Sequence, residues 1–295
     1  MTKAVHPRED RSPTGMALMA VAVLFFTLID STAKWLILAG LPVLQVVFAR
    51  YAGHFLYAAI YYARREGWSG FRSRAPWRQA LRSGFLMGST TCNFIAVEQL
   101  PLTVTTTIFF AMPVVITLMA IPILGERPGI RRISAVCLGF CGVLIVVQPW
   151  GAAWHPAMVF SLCALLMASS YFIMTRALAG IEGEAVSQLW PSGLAASVMA
   201  PLVWPLWIWP EGMVQWGVFL LIGGFGWAGH ALANIAHRMA DASLLAPLVY
   251  TQIVWATGIG IFVFATWPTV WTLLGGAVII GSGLYIWQRE RVLDA

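Results

Sequence analysis

Apolar runs close to 20 residues long recur ten times in this chain, with short breaks between them. A helix rises about 1.5 Å per residue, so each run can cross roughly 30 Å of hydrocarbon. Backbone N–H and C=O groups in lipid have no water to bond, which restricts spanning segments to helices or closed barrels. The alternating segments of about ten residues that a barrel requires are absent. The spacing therefore predicts spans at about 14–36, 43–63, 79–98, 102–124, 130–148, 156–178, 185–205, 213–236, 242–264 and 270–288. Composition agrees: the set AVILMFWYC makes up 59% and DEKR only 10%, too little charge to clothe a water-facing surface.

The distribution of the basic residues fixes an orientation. Lys3, Arg8 and Arg11 precede span 1, and Arg64, Arg65, Arg72, Arg74, Arg78 and Arg82 are assigned to the connection between spans 2 and 3. Arg127, Arg131 and Arg132 follow span 4, Arg176 ends span 6, Arg238 follows span 8, and Arg289 and Arg291 follow span 10. With ten spans all of these fall on one side, while the opposite loops carry no Lys or Arg. Both termini are thus expected in the cytoplasm. The net charge of +6 is explained by this asymmetry and does not point to nucleic acid. The polar tail 1–13 lacks the short apolar core and small-residue cleavage site of a signal peptide, so span 1 is expected to be retained. A second tail is expected at 289–295. Trp150, Trp154, Trp207, Trp209 and Trp216 on the outer side, with Trp77 and Trp287 inside, suit interfacial belts or lipid-facing positions.

An offset of 140 residues superposes the two halves without a gap. It pairs Thr103 with Ser243, Phe110 with Tyr250, Thr117 with Thr257, Pro128 with Pro268 and Leu144 with Leu284. Further back it pairs Gly40 with Gly180, Gly53 with Gly193 and Gly84 with Gly224. Each copy has five spans, an odd number, so the second copy enters the membrane inverted. Such repeats let two near-equivalent halves exchange inward and outward shapes. The expected fold is an all-α polytopic membrane protein with ten transmembrane helices. They form two inverted five-helix repeats, 14–148 and 156–288, around a central cavity.

Ionisable groups inside the spans are few and each is costly there. Asp30 and Lys34 lie at i, i+4 on span 1, where they can neutralise one another; Arg50 lies about a third of the way down span 2. Together these read either as a site for the charged ends of a zwitterion, with Asp30 as a proton relay, or as structural charges near the outer interface with Lys34 snorkelling. On span 8, Trp227, His230 and Asn234 form one stripe, matched on span 3 by Met87, Thr90 and Phe94. His230 is either a titrating cavity group or one partner of an interhelical hydrogen bond. Thr106 and Phe110 share a face of span 4, and Tyr250 and Trp255 lie on span 9. These read as a surface for an amphipathic metabolite, or as packing with hydroxyls bonded back to their own helix. Pro113 and Pro247 are expected to kink their spans and act as hinges. Tyr171 joins the cavity set because its stretch of span 6 pairs with Asp30 and Ser31.

The small residues are structural candidates. Gly84 and Gly88, echoed by Gly224 and Ala228, suit close helix contact. Gly275, Gly276, Gly281 and Gly283 in span 10 suit packing against span 5 or against a second protomer, which leaves a homodimer open. Cys137 and Cys141 lie at i, i+4 but lack a second ligand pair, and with Cys92 and Cys163 they read as packing residues without disulfides. No metal or other cofactor is expected. No phosphate-binding loop, HExxH or nucleophile elbow is present. Asp30 is the only acid well inside a span, which disfavours an intramembrane enzyme, and no repeated filter loop suggests a channel.

The stretches LPLTVTTTIFFAMPVVITLMAIPILGERPGIRRISAVCLGFCGVLIVV and MADASLLAPLVYTQIVWATGIGIFVFATWPTVWTLLGGAVIIGSGLYI resemble the two copies of the EamA-type drug/metabolite transporter superfamily. The resemblance implies a cavity lined by spans 1, 3, 4, 6, 8 and 9, and export or exchange of small metabolites. Within it the chain is similar to YddG-like amino-acid exporters, with riboflavin and S-adenosylmethionine carriers close in style. One departure is that Gly125-Glu126-Arg127-Pro128 in the first copy is Ala265-Thr266-Trp267-Pro268 in the second. The expectation is therefore a secondary transporter in the bacterial inner membrane, whose partners are a small-molecule substrate and the bilayer. It would export amino acids, including aromatic ones, by alternating access. Uptake of a vitamin or nucleoside-like compound is the alternative, with an intramembrane enzyme or assembly subunit more remote.

Overall fold

The computed structural model describes residues 12–67, 71–112, 114–116, 118–119, 130–148, 154–178, 181–239 and 245–293. Ten α-helices follow one another among these residues: α1 Ser12–Leu38, α2 Val43–Glu66, α3 Pro76–Gln99, α4 Leu102–Phe109, α5 Ile130–Val147, α6 Ala157–Ala177, α7 Glu184–Val203, α8 Gly212–Met239, α9 Gln252–Phe264 and α10 Val270–Leu293. By length and composition α1, α2, α6, α7 and α8 can each cross a membrane, and α9, α10 and parts of α4 and α5 are shorter apolar helices. The odd member is α3. Its Gln79, Arg82, Ser83, Ser89, Thr90 and Asn93 are polar and buried, so its polar stripe is turned towards the other helices and away from lipid.

Turn chemistry explains the tight first hairpin. Gly40 has φ +97°, a conformation that costs a side chain heavily. Its N–H bonds Ile37 O at 3.0 Å and Leu41 N–H reaches back to Leu36 O at 3.1 Å, so the last carbonyls of α1 are satisfied by the paired bonds of a Schellman motif. Pro42 then precedes α2.

Exchanging each helix with the one five places along leaves the main contacts in place. α1 packs on α8 as α6 packs on α3, α2 on α8 as α7 on α3, and α1 on α9 as α6 on α4. The pairs α2–α7, α4–α9 and α5–α10 map onto themselves. α1–α5 and α6–α10 fall largely within the expected halves 14–148 and 156–288, but α1 begins at Ser12 and α10 runs on to Leu293, so residues 289–293, expected as a tail, continue the last helix.

Glycines set the closest crossings, though not where the sequence pattern suggests. A Cβ on Gly84 would meet nothing within 4 Å, whereas one on Gly53 would lie 2.9 Å from the Gly223 Cα. The near approach of backbones therefore falls where α2 crosses α8. Gly84 faces open space because α3 meets α6 one turn further on, where a Cβ on Gly88 would strike the Met167 sulfur at 2.5 Å. At the α5–α10 crossing, a Cβ on Gly275 would lie 2.7 Å from Gly142 O, so span 10 uses Gly275 against span 5. Lipid-facing positions carry exposed Leu220, Phe262, Met213 and Trp204.

Two expectations about proline meet different local structure. Pro113 lies outside the described residues, but α4 ends at Phe109 and the chain turns through Phe110 and Ala111 just before it. Pro247 stands in a 3₁₀ stretch, Ala246–Thr251, that follows α-helical Leu245 and converts to α9 at Gln252, so the irregularity described at this proline is a change of helix type.

Gly223→Val should lower the stability of the purified protein by about 3 kcal/mol, because two backbones must separate to admit the side chain. Gly84→Ala should leave it unchanged or raise it slightly. Thermal unfolding in detergent distinguishes the two.

Candidate functional site

α2 and α3 carry the buried polar residues Gln45, Arg50 and His54, and Gln79, Arg82, Ser83, Ser89, Thr90 and Asn93. Arg50 and His54 are one turn apart on α2, about 6 Å along the axis, and both are buried. Arg50 donates to Thr90 Oγ1 and from the same nitrogen to Tyr51 OH at 3.2 Å. The Tyr51 hydroxyl lies 2.7 Å from Thr90 Oγ1 and donates to Leu86 O at 3.0 Å. The guanidinium sits over the Tyr51 ring at 4.8 Å and nearer the limit of such contact, 5.9 Å, over Phe94. Its Nε is buried with no hydrogen-bond partner among the described residues.

Asp30 on α1 completes this upper group. Its Oδ1 accepts from Asn93 Nδ2 at 2.9 Å, and Arg50 is close enough to act on it electrostatically. Lys34 does not neutralise it in the way the i, i+4 spacing suggests. Lys34 Nζ donates instead to Val97 O at 2.7 Å and Leu100 O at 2.6 Å. These carbonyls end α3, where they lack helical N–H partners and carry the negative pole of the helix dipole. The lysine is a helix cap from a neighbouring element.

One level further in, His54 Nε2 lies 3.0 Å from Gln188 Oε1 on α7, and its ring centroid is 5.7 Å from that of His230 on α8. His230 also packs edge-on against Phe26 at 5.2 Å. Trp227 leaves this stripe to stack on Tyr57 at 6.3 Å. Asn234 is half-buried one turn beyond His230.

The third level corrects the sequence reading. Arg82, assigned above to a cytoplasmic connection, is within α3 and only 3% exposed. Its guanidinium donates to Thr175 Oγ1 at 2.8 Å, Gln79 Oε1 at 2.9 Å, Tyr171 OH at 2.9 Å and Ser187 O at 3.2 Å. Tyr171 also offers its ring face, 4.8 Å from the guanidinium carbon. Each of these acceptors is neutral. Counting arginines by loop concealed it, although the predicted span 79–98 already contained residue 82. His54 was legible too, since it follows Arg50 at helical spacing.

The remaining expected residues form a separate group. Phe110 and Tyr250, equivalent under the repeat, meet edge-on with centroids 5.2 Å apart. Thr106 is buried one turn before Phe110 and its carbonyl accepts the Phe110 N–H at 3.1 Å. Thr105 and Thr107 bond back to Leu102 O and Thr103 O. Trp255 is 39% exposed. Thr90, Phe94 and Asp30 therefore join Arg50, Tyr171 joins Arg82, and His230 joins His54. Phe110, Tyr250 and Thr106 pack at the α4–α9 crossing. Among the described residues no three His, Cys, Asp or Glu converge as metal ligands would. The site's chemistry is that of fixed cations, one carboxylate, imidazoles and hydroxyls between aromatic faces.

Residues 13–148 match the EamA-like transporter family. Over 290 residues the chain is 27% identical to a riboflavin transporter of Rhizobium johnstonii, covering 97% of this chain and 94% of that protein. It is 25% identical to a pseudopaline exporter of Pseudomonas aeruginosa over 96% of this chain and 99% of that protein. With an S-adenosylmethionine uptake transporter of Rickettsia bellii it shares 24% identity over 79% of this chain and 78% of that one. A solved crystal structure superposes with TM-score 0.64 at 18% identity, covering 92% of this chain and 96% of the other, which establishes likeness of fold. These relatives are transporters, not enzymes.

Lys34→Met should lower stability by about 2 kcal/mol, the scale of a charged hydrogen bond left unmade. A double-mutant cycle with Asp30→Asn, read by thermal unfolding, should give a coupling within about 0.5 kcal/mol of zero. A large coupling would restore the Asp30–Lys34 pair.

Proposed function

We propose, from the EamA-like domain at residues 13–148, that this chain is a multi-pass plasma-membrane transporter that exports amino acids, including aromatic ones, by alternating access. Both termini face the cytoplasm. The observation that carries the reading is that Asp30, half-buried and hydrogen-bonded to Asn93, and the buried Arg50, bordered by Phe94, belong to one polar group between α1, α2 and α3. A carboxylate and a guanidinium in one such group suit the two charged ends of a zwitterion. The Phe94 face and the Phe110–Tyr250 pair suit an apolar or aromatic side chain. Asp30, Thr90, Phe94, Thr106, Phe110, Tyr171, His230, Asn234, Tyr250 and Trp255 line the path in this reading. Pro113 and Pro247 are the hinges, and Asp30 or His230 carries a coupled proton.

The two-fold exchange of helix contacts supports the mechanism. Halves of one plan can trade conformations, so breaking contacts on one face of the membrane is offset by forming their equivalents on the other. No ATP-binding loop exists in the chain, so the driving force is a gradient or a separate subunit.

A second reading, uptake of a vitamin or nucleoside-like compound, is favoured by the relatives named for riboflavin and S-adenosylmethionine. Both are tested by flux into and out of proteoliposomes containing the purified chain. Amino-acid export predicts saturable flux of labelled phenylalanine that unlabelled amino acids compete away, and about a tenfold or greater loss in Asp30→Asn. Competition by riboflavin or S-adenosylmethionine alone would move the assignment to the second reading. No saturable flux of any of them would remove both.

A further inference from the structure

The buried polar groups of α1, α2 and α3 do not balance electrically. Asp30, on α1, bonds Asn93 and is the one carboxylate placed among these groups, and Lys34 is held by carbonyls at the end of α3. Arg82 is held by a hydroxyl of Thr175, an amide of Gln79, the phenol of Tyr171 and the carbonyl of Ser187. These neutral acceptors satisfy its hydrogen bonds and leave its charge. Burying a cation without a counter-charge is costly, and its field reaches far in a low-dielectric interior. Arg82 and Thr90, the contact of Arg50, are two turns apart on α3, about 12 Å along the axis. His54 follows Arg50 by one turn on α2, its partner Gln188 adjoins Ser187, the carbonyl of which accepts from Arg82, and His230 packs against His54 at 5.7 Å. The groups of the second half that bond this cluster, Gln188, Tyr171, Thr175 and Ser187, are neutral, and Glu184, one turn before Gln188 on α7, accepts from Tyr62.

A second observation shows where a ligand would bond. Arg50 is 8% exposed, yet its Nε is buried with no hydrogen-bond partner among the described residues. A guanidinium offers five N–H donors in a planar fork that matches a carboxylate or phosphate. A buried donor without a partner costs free energy until an acceptor arrives.

We infer that the transported molecules carry net negative charge, with a carboxylate or phosphate group bound at Arg50 and drawn there by the uncompensated charge of Arg82. This rests on the transporter reading and narrows its substrate class. Arg82 and Lys34 both keep their charge on neutral acceptors, so a plain zwitterion leaves the surplus positive charge in place, whereas a molecule with an excess anionic group reduces it even with both imidazoles uncharged. Arg50 is the contacting residue; Arg82 acts through its field and through the placement of Tyr171.

The test uses the full chain, purified, with three matched pairs of probes: glutamate and glutamine, N-acetylphenylalanine and phenylalanine, riboflavin 5′-phosphate and riboflavin. Two readouts are taken at low salt, competition for flux in proteoliposomes and the ligand-induced rise in unfolding temperature in detergent. In at least one carboxylate or phosphate pair the anionic member should act at about tenfold lower concentration than its partner. The pair that responds identifies which anionic group is taken. Arg50→Gln should abolish the difference and Arg50→Lys should retain part of it. Should Arg50→Gln not fold, Arg50→Lys and the wild-type pairs decide. Equal potency within all three pairs, or a preference that survives Arg50→Gln, would overturn the inference. Saturable flux that is blind to charge would sink it while leaving the transporter reading in place. Ordered thermal shifts without flux would do the reverse.

Discussion

A buried guanidinium in the middle of a helix bundle has to be hydrogen-bonded, and Arg82 shows how the bundle is arranged to do it. The arginine projects from α3, takes one acceptor from its own helix and the rest from α6 and α7. In hydrocarbon there is no solvent to replace these bonds, so the three helices are obliged to meet at one point. At the other end of α3, Lys34 reaches across from α1 to the final carbonyls. A helix too polar to lie against lipid is thereby tied at both ends to its neighbours. That fixes the placement of Thr90, Asn93 and Phe94 between them.

The two halves follow one plan in their contacts and differ in their charges. Arg50, Arg82, Lys34 and Asp30 all belong to the first half. The second half supplies neutral acceptors and His230 to the same region. A rocking motion of one half against the other would then exchange hydroxyl, amide and carbonyl partners around fixed arginines, without pulling ion pairs apart. Neutral partners hold a buried charge less tightly than a carboxylate does. In the proposed mechanism such a division would keep the barrier between the two states low, and the first half would keep the charged groups that recognise a substrate.

Hydropathy made the helices legible because each membrane span has to be long and apolar, and the five-place exchange of contacts follows the 140-residue offset visible in the chain. Individual polar residues were less legible. Arg82 looked like a loop charge because the inside excess of arginine is counted at span ends, and its residence in α3 depends on partners from α6 and α7 that no local window contains. Asp30 and Lys34 have ideal spacing for a pair, yet the carbonyls ending α3 compete for the lysine, and only tertiary structure brings them near. The tightest glycine crossing, Gly53 on Gly223, joins residues from different halves, so spacing within one helix could not reveal it. The meeting of Phe110 with Tyr250 was foreshadowed by their equivalence, since residues near a two-fold axis find their own counterparts.

In the proposed mechanism a polar region halfway through the bilayer opens to each side in turn. Cysteine at position 90, in a chain with Cys92, Cys137, Cys141 and Cys163 replaced, reports on it directly through its reaction with a membrane-impermeant thiol reagent added to one face at a time. The account predicts reaction from either face in separate experiments, with substrate protecting against both. Reaction from neither face, which would mean a dry and permanently sealed interior, would contradict it.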